Sequence, residues 1–228
     1  MFLEYCICFT ASCIGCIFTS FGYLLFFSAD EGTRTRKTCL LTNNPNTVCF
    51  LYNFPLSLQT GLNFNDILNS LDFDMCFYKN KRYTAFFGNT QYSYSGVTHC
   101  PVPIESNIHM LNALQFINKL FPEITVNSIL VNYYPELFSN LPFHSDDEPA
   151  ILADSYILTL SFGSSREIAF RRRDTCSEVA RFSLDDRKLL IFSKSSQFIF
   201  QHSILLIGQG VEPATTRGRI SLTFRHVE

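Results

Sequence analysis

From Val126 onward the chain breaks into short runs rich in Ile, Leu, Phe and Thr: VNSILVNYY, SYILTLSF, REIAFRR, RKLLIFS, SQFIFQHSI and RISLTFR. Six candidate strands at such short intervals argue a β-sandwich or barrel. The last run alternates without a slip. As a strand it sets Arg219, Ser221, Thr223 and Arg225 on one face and Ile220, Leu222 and Phe224 on the other. SFGSSRE, between the second and third runs, has the Gly-Ser content of a hairpin turn. Upstream the period changes. Ile67, Leu68 and Leu71 fall at helical spacing within residues 63–71, and Ser106 is placed to cap a helix bearing Met110, Ala113, Leu114, Ile117 and Leu120. Two helices therefore precede the sheet region.

The first third reads differently. Residues 5–28 carry no charge, and as a helix they would span about 36 Å, enough to cross a bilayer. Glu4 stands where a cleaved signal peptide would show Lys or Arg, whereas Arg34, Arg36 and Lys37 follow the apolar run. That flank favours a cytosolic C-terminal part anchored through residues 5–28. The competing readings are a buried helix, a misassigned start and a piece of a longer polyprotein; without a membrane segment, a nuclear location is equally open. Residues 30–47, with EGTRTRKT and then TNNPNT, have the composition of a linker. The expected division is an apolar segment at 1–29, a polar linker at 30–47 and one domain at 48–228.

Composition narrows the class. With 228 residues the chain can hold one ordinary domain plus an appendage, and 24 Phe, 10 Tyr and 46% hydrophobic residues exclude a disordered chain. Nine Cys, an odd number with four in the first apolar stretch, do not form a secreted disulfide framework. Cys13 and Cys16 make a lone C-x-x-C with no second pair at zinc spacing, so they read as core or lipid-facing thiols. Glu4 and Asp30 account for the formal net charge of −2, leaving the remainder balanced. No global basic field announces a nucleic acid.

Candidate chemistry gathers near the C-terminus. Two arginines on one face of a half-buried strand, Arg219 and Arg225, call for an anion, because an unpaired buried guanidinium is costly and its fork suits carboxylates. Two solvent-facing arginines on an outer strand are the plain alternative. His144-Ser145-Asp146 is an H-x-D unit whose side chains point the same way if extended, and His202 lies on a later strand. Two His and one carboxylate suit an iron(II) facial triad that leaves positions open for a chelating co-substrate and O2, with zinc hydrolysis as the chemical competitor. Asn132 and Tyr134 offer an amide and a phenol to one strand face.

In order and spacing, Asn132-x-Tyr134, His144-x-Asp146-Asp147-Glu148, His202, and Arg219 with Arg225 in RISLTFR resemble the AlkB family of Fe(II)- and 2-oxoglutarate-dependent dioxygenases, nucleic-acid demethylases whose domains also occur in plant RNA virus replicases. Tyr92-Ser93-Tyr94-Ser95-Gly96, followed by Pro101 and Pro103, is similar to the family's nucleotide-recognition lid. The resemblance covers roughly residues 48–228. It implies an α+β, mainly β fold: a double-stranded β-helix, or jelly-roll, with flanking helices and a lid near residues 79–103. It implies that His144, Asp146 and His202 bind Fe(II) and that Arg219 takes the distal carboxylate of 2-oxoglutarate. Arg225, Asn132 and Tyr134 would hold the remaining co-substrate oxygens. Tyr94 would stack on an everted base opposite His144, and Glu148 would read its exocyclic amine. Lys79, Lys81 and Arg82 near the lid, and residues 171–173, are candidate contacts to the nucleic-acid backbone. Tyr94 replaces the family's usual Phe, Lys81-Arg82 stands where relatives often show Pro-Arg, and Phe87 where Tyr is common.

The implied activity is oxidative demethylation of N-alkylated bases of the N1-methyladenine and N3-methylcytosine type in single-stranded RNA or DNA, RNA favoured, by a monomeric domain. O2 is consumed, 2-oxoglutarate is decarboxylated to succinate, and formaldehyde is released. Two other readings fit parts of the sequence: a membrane-anchored 2-oxoglutarate oxygenase acting on protein, and a catalytically inactive membrane-associated interaction protein.

Overall fold

The structure, a computed structural model, describes residues 62–72, 82–94, 96–135, 140–205 and 218–228 in full, and 15–18, 24–27, 36–40, 48–53 and 77–79 as strand backbone. Near the N-terminus β1 (Gly15–Phe18) and β2 (Leu24–Phe27) pair antiparallel. The continuous helix expected over residues 5–28 is therefore not what these segments form, and the rest of that stretch lies outside the described residues. Among the described residues no helix is long and apolar enough to cross a membrane. Within the stretch read as linker, Arg36–Leu40 is a strand, β3, paired antiparallel with β4 (Val48–Asn53).

An eight-stranded sheet forms the middle layer. Its spatial order is β3, β4, β14 (Lys188–Ser193), β11 (Tyr156–Gly163), β16 (Arg219–Arg225), β9 (Ser128–Tyr134), β6 (Arg82–Phe87) and β5 (Phe77–Lys79). A four-stranded sheet faces it, in the order β10 (Leu141–His144), β15 (Phe200–Ile204), β12 (Arg166–Arg172) and β13 (Glu178–Leu184). β7 (Tyr92–Tyr94) and β8 (Val97–His99) make a separate hairpin. Helices α1 (Phe64–Ser70) and α2 (Ile108–Leu120) cover the far face of the large sheet. The architecture is the jelly-roll with flanking helices.

All six runs picked out by periodicity contain strands, and the two-fold period explains how each is used. On β16, Ile220, Leu222 and Phe224 join Ile67, Met110 and Ile117 in the core between sheet and helices. The opposite face of the same strand, with Arg219, Ser221, Thr223 and Arg225, lines a cavity between the two sheets. The strand is thus buried on both faces rather than half-buried, and its neighbours β11 and β9 are largely so. Between the sheets, Ile157, Leu190 and Phe192 from the large sheet meet Ile168, Phe170 and Ile204 from the small one. Sheet strands covered on both faces read as near-continuous apolar runs, which is why these segments stand out in the sequence. β13 does not stand out: it is an exposed edge with only Leu184 buried, so its apolar positions are too few to mark it.

Two local expectations are corrected. SFGSSRE is no hairpin, since β11 pairs with β14 and β16 whereas β12 pairs with β13 and β15. The turn instead carries the chain from one sheet to the other. Gly163 takes φ +87° there, and a Cβ at this position would lie 2.4 Å from the Gly218 carbonyl oxygen and 2.7 Å from the Phe64 ring. The α2 cap is Asn107, not Ser106. Its side chain accepts from the N–H groups of His109 and Met110, while the Ser106 hydroxyl donates to the Pro103 carbonyl at 2.6 Å. Asn and Ser are near-equal caps, so local preference could not choose between adjacent residues. For α1, Asn63 is the cap, accepting from Asp66 N–H at 3.0 Å.

Because the left-handed conformation and the contact with Gly218 both penalise a side chain, Gly163→Ala is expected to cost about 2 kcal/mol or more. Urea denaturation of parent and variant measures it; a midpoint shift equivalent to under about 0.5 kcal/mol would show that the crossover relaxes freely.

Candidate active site

The cavity between the sheets is built by three register relationships. β10 and β15 pair so that His144 lies directly opposite His202, with ring centroids 4.2 Å apart. Asp146 follows β10 by two residues, at the position from which its carboxylate returns toward both rings. On the large sheet, β16 sets Ser221 opposite Asn132 and Arg219 opposite Tyr134 of β9. The lid hairpin adds Tyr94. His144, Asp146, His202, Asn132, Tyr134, Arg219, Arg225 and Tyr94 therefore all line one cavity.

One ligand atom from each of His144, Asp146 and His202 lies within 4.8 Å of the others, close enough for a single ion to touch all three. The His144 Nδ1 sits 2.8 Å from the Pro142 carbonyl. A carbonyl only accepts, so the proton belongs on Nδ1 and the lone pair on Nε2, which points at Asp146 Oδ1 at 3.5 Å. Asp146 Oδ1 is buried and has no hydrogen bond among the described residues. Burial acts to raise the Asp146 carboxyl pKa, but Arg225, assisted by His144 and His202, holds it well below the usual carboxylate range. For His202, burial and the neighbouring His144 push the pKa down to about 3, so its ring is neutral at physiological pH. Two imidazoles and one carboxylate, with ligand atoms converging, fit a divalent iron ion.

The anion-binding end is equally uncompensated. Arg219 is 1% exposed, donates from Nη2 to the Ser161 hydroxyl at 2.9 Å and overlies the Tyr134 ring at 5.3 Å. Its Nε and Nη1 have no partner among the described residues, and burial lowers its pKa to about 10, which still leaves it charged. A buried guanidinium with open donors is costly until an anion reaches it. A co-substrate carboxylate meets that need.

Arg225 is occupied differently. It donates from Nη2 to Asp146 Oδ2 at 2.5 Å and from Nη1 to the Tyr92 hydroxyl at 2.9 Å. Only its Nε lacks a partner among the described residues. Asn132 likewise has its oxygen engaged, accepting from Arg82 Nε at 3.1 Å.

Arg82 departs from expectation. It is 0% exposed and reaches Asn132 and, at 3.4 Å, the Tyr94 hydroxyl. It stands behind the cavity and braces two residues that line it; a solvent-borne phosphate does not reach it. Tyr94 is flanked by Arg82 and Arg225, with guanidinium carbons 5.6 and 5.5 Å from its centroid, and lies parallel to Tyr92. Glu148 does not line the cavity, though its Oε2 is buried without a partner among the described residues. Burial, with Asp146 nearby, raises its pKa despite Arg225.

Of the candidate basic contacts, Lys81 lies outside the described residues and Lys79 is described only as backbone. Arg172 pairs with Asp174 and Arg173 with Asp147, while Arg171 binds Gln201 and covers the Phe143 ring.

Sequence reasoning missed Ser161, Lys194 and Gln197, and named Tyr92 only as part of the lid motif, not as a partner of Arg225. Ser161 and Tyr92 support the two arginines. Lys194 and Gln197 hold the Asp146 loop from a 3-10 turn (Lys194–Phe198) that begins in the gap after RKLLIFS and takes up the first three residues of the run SQFIFQHSI, so that only the later part of that run is strand. Only the polar letters KSSQ interrupting an apolar run signalled that turn.

Comparison with known proteins agrees with this geometry. Residues 75–225 match the family model of the 2OG-Fe(II) oxygenase superfamily. The alpha-ketoglutarate-dependent dioxygenase alkB homolog 3 of Mus musculus and that of Homo sapiens are each 32% identical over 161 residues, 66% of this chain and 53% of theirs. DNA oxidative demethylase ALKBH2 of Bos taurus is 29% identical over 155 residues, 64% of this chain and 53% of its own. The chain thus spans about half the length of the curated relatives it matches. The solved structure of OsALKBH1 superposes with a TM-score of 0.52 at 16% identity, covering 83% of this chain and all of that one, a likeness of fold. With the family model matching most of the chain and these relatives beside it, the chain belongs to the 2OG-Fe(II) oxygenase superfamily and, within it, to the AlkB family.

Proposed function

We propose that this chain removes alkyl groups from nucleobases by Fe(II)- and 2-oxoglutarate-dependent oxidation, acting on single-stranded nucleic acid with RNA preferred. The observation that carries the reading is one cavity in which the convergent lone pairs of His144, Asp146 and His202 face the open donors of Arg219. His144, Asp146 and His202 hold the metal. Arg219 takes the far carboxylate of 2-oxoglutarate, with Asn132, Tyr134 and the remaining Arg225 donor along its length. The bound iron and co-substrate supply oxidising power from O2. The protein residues confine and orient. Phe170 and Phe192, with ring centroids 5.9 and 5.3 Å from the His202 ring, keep water from that side of the site. Tyr94 offers its ring to a base entering opposite His144, and Glu148, outside the lining of the ligand-free cavity but with a buried Oε2 that has no partner among the described residues, accepts from the exocyclic amine once the base is seated. Hydroxylation of an N-methyl carbon leaves a carbinolamine that releases formaldehyde, so the restored base and formaldehyde leave together. The relatives named as dioxygenases and DNA demethylases support this class of reaction.

The test is formaldehyde release from N1-methyladenine in single-stranded RNA and DNA oligonucleotides by the full chain with iron(II), ascorbate and 2-oxoglutarate. Turnover is expected with both, higher on RNA, and lower by on the order of a thousandfold in His144→Ala, which removes a metal ligand. Consumption of 2-oxoglutarate without formaldehyde from either oligonucleotide would sink the nucleobase assignment while sparing the oxygenase.

Arg219 gives a thermodynamic check. Arg219→Met removes an uncompensated buried charge, so the ligand-free protein is expected to be at least as stable as the parent. The same variant loses the rise in Tm that 2-oxoglutarate with Mn(II) gives the parent. Destabilisation of the ligand-free variant by more than about 2 kcal/mol would mean that the Arg219 charge is already compensated before any ligand binds.

A further inference from the structure

A buried cation that the proposed chemistry does not use sits beneath the Asp146 loop. Lys194 is 3% exposed and donates from Nζ to the main-chain carbonyls of Asp146, at 3.1 Å, and Glu148, at 2.9 Å. Its own N–H donates to the Ser155 carbonyl at 2.9 Å, fixing where the side chain starts. Three residues on, Gln197 accepts from the Asp146 N–H at 3.0 Å through Oε1. Its Nε2 donates to the Ser196 hydroxyl at 2.8 Å, which donates in turn to the Ser193 carbonyl at 2.6 Å. Both main-chain polar groups of Asp146 are thus gripped by side chains of one 3-10 turn. The turn leads directly into β15, which carries His202.

An ammonium is an expensive way to satisfy two neutral carbonyls, and a shorter hydroxyl or amide would bury less charge. What distinguishes Lys194 is reach. One group spans carbonyls two residues apart, and the side chains belonging to those carbonyls are a metal-facing carboxylate and the carboxyl of Glu148. We infer that Lys194 is a positioning residue that ties the metal site to the base-reading carboxyl, with Gln197 fixing the metal side alone. The inference rests on the roles proposed above for Asp146 and Glu148. Two separate consequences follow from the contacts. Losing the ammonium loosens Asp146 and Glu148 together, whereas losing the Gln197 amide loosens Asp146 and leaves the Glu148 carbonyl held.

Mn(II) affinity, read from the EPR signal of free Mn(II), and the KM for a methylated oligonucleotide separate these effects in the full chain. Lys194→Met keeps the stem and removes the charge; it is expected to weaken Mn(II) binding by on the order of 10–100-fold, as loss of outer contacts to metal ligands does, and to raise the KM. Gln197→Met is expected to weaken Mn(II) binding by a similar factor with the KM within twofold of the parent. Lys194→Arg, which restores a cationic donor, recovers part of the lost affinity. Mn(II) binding within twofold of the parent in Gln197→Met, or in a folded Lys194→Met, overturns the positioning role. A Lys194→Met variant that fails to fold leaves the Gln197→Met result to decide. A parent chain that binds no Mn(II) overturns the metal-site reading itself.

Discussion

The buried pair of Arg225 with Asp146 joins the two halves of the site. Arg225 ends β16 in the middle of the large sheet, and Asp146 belongs to the loop after β10 at the edge of the small one, so a contact of 2.5 Å fixes the spacing of the sheets where the cavity opens. The pair also sets the electrostatics. Arg225 keeps Asp146 ionised against strong desolvation, and an ionised carboxylate is the form that binds a metal. A buried pair of this kind contributes little to stability relative to apolar residues of the same volume. Its value lies in the geometry it imposes and in the oxygen it leaves open.

The rest of the cavity follows the same logic of partial satisfaction. Asp146, Arg219 and Arg225 are each held by one or two protein contacts and keep at least one atom without a partner among the described residues: Oδ1 of Asp146, Nε and Nη1 of Arg219, Nε of Arg225. A fully satisfied network would be rigid and inert, and an unsupported one would not be oriented. The contacts that do the holding come from residues with no chemical role of their own: Ser161 under Arg219, Tyr92 under Arg225, Arg82 behind Asn132 and Tyr94.

What could be read in the sequence divides along this line. The strands buried on both faces were legible because their composition leaves nothing else to be, and β16 was legible to the residue because its period of two never slips. The residues that gather in the cavity were legible because H-x-D and R-x5-R are patterns of chemically distinctive side chains. The supporting residues were not. Ser161, Tyr92, Lys194 and Gln197 act through distances set by tertiary packing, and a serine in a strand-like run or a lysine between two runs carries no mark of what it will touch. Arg82 shows the converse error: its charge suggested solvent and phosphate, yet packing buried it. The sheet-to-sheet crossover at Gly163 was misread for a related reason, since a Gly-Ser turn looks the same whether the next strand pairs with the last or leaves its sheet.

The alternation on β16 also separates stability from function in a way few segments do. Ile220, Leu222 and Phe224 each bury a full apolar side chain against the helices, worth about 1.5–3 kcal/mol apiece. Arg219, Ser221, Thr223 and Arg225, one residue away in each case, face a cavity whose polar groups are costly to bury until ligands arrive. The first face stabilises the sheet that the second face strains. Since a slip of one residue would exchange the two faces, the apolar face also fixes the register of the arginines, and the site is positioned by side chains that never touch it.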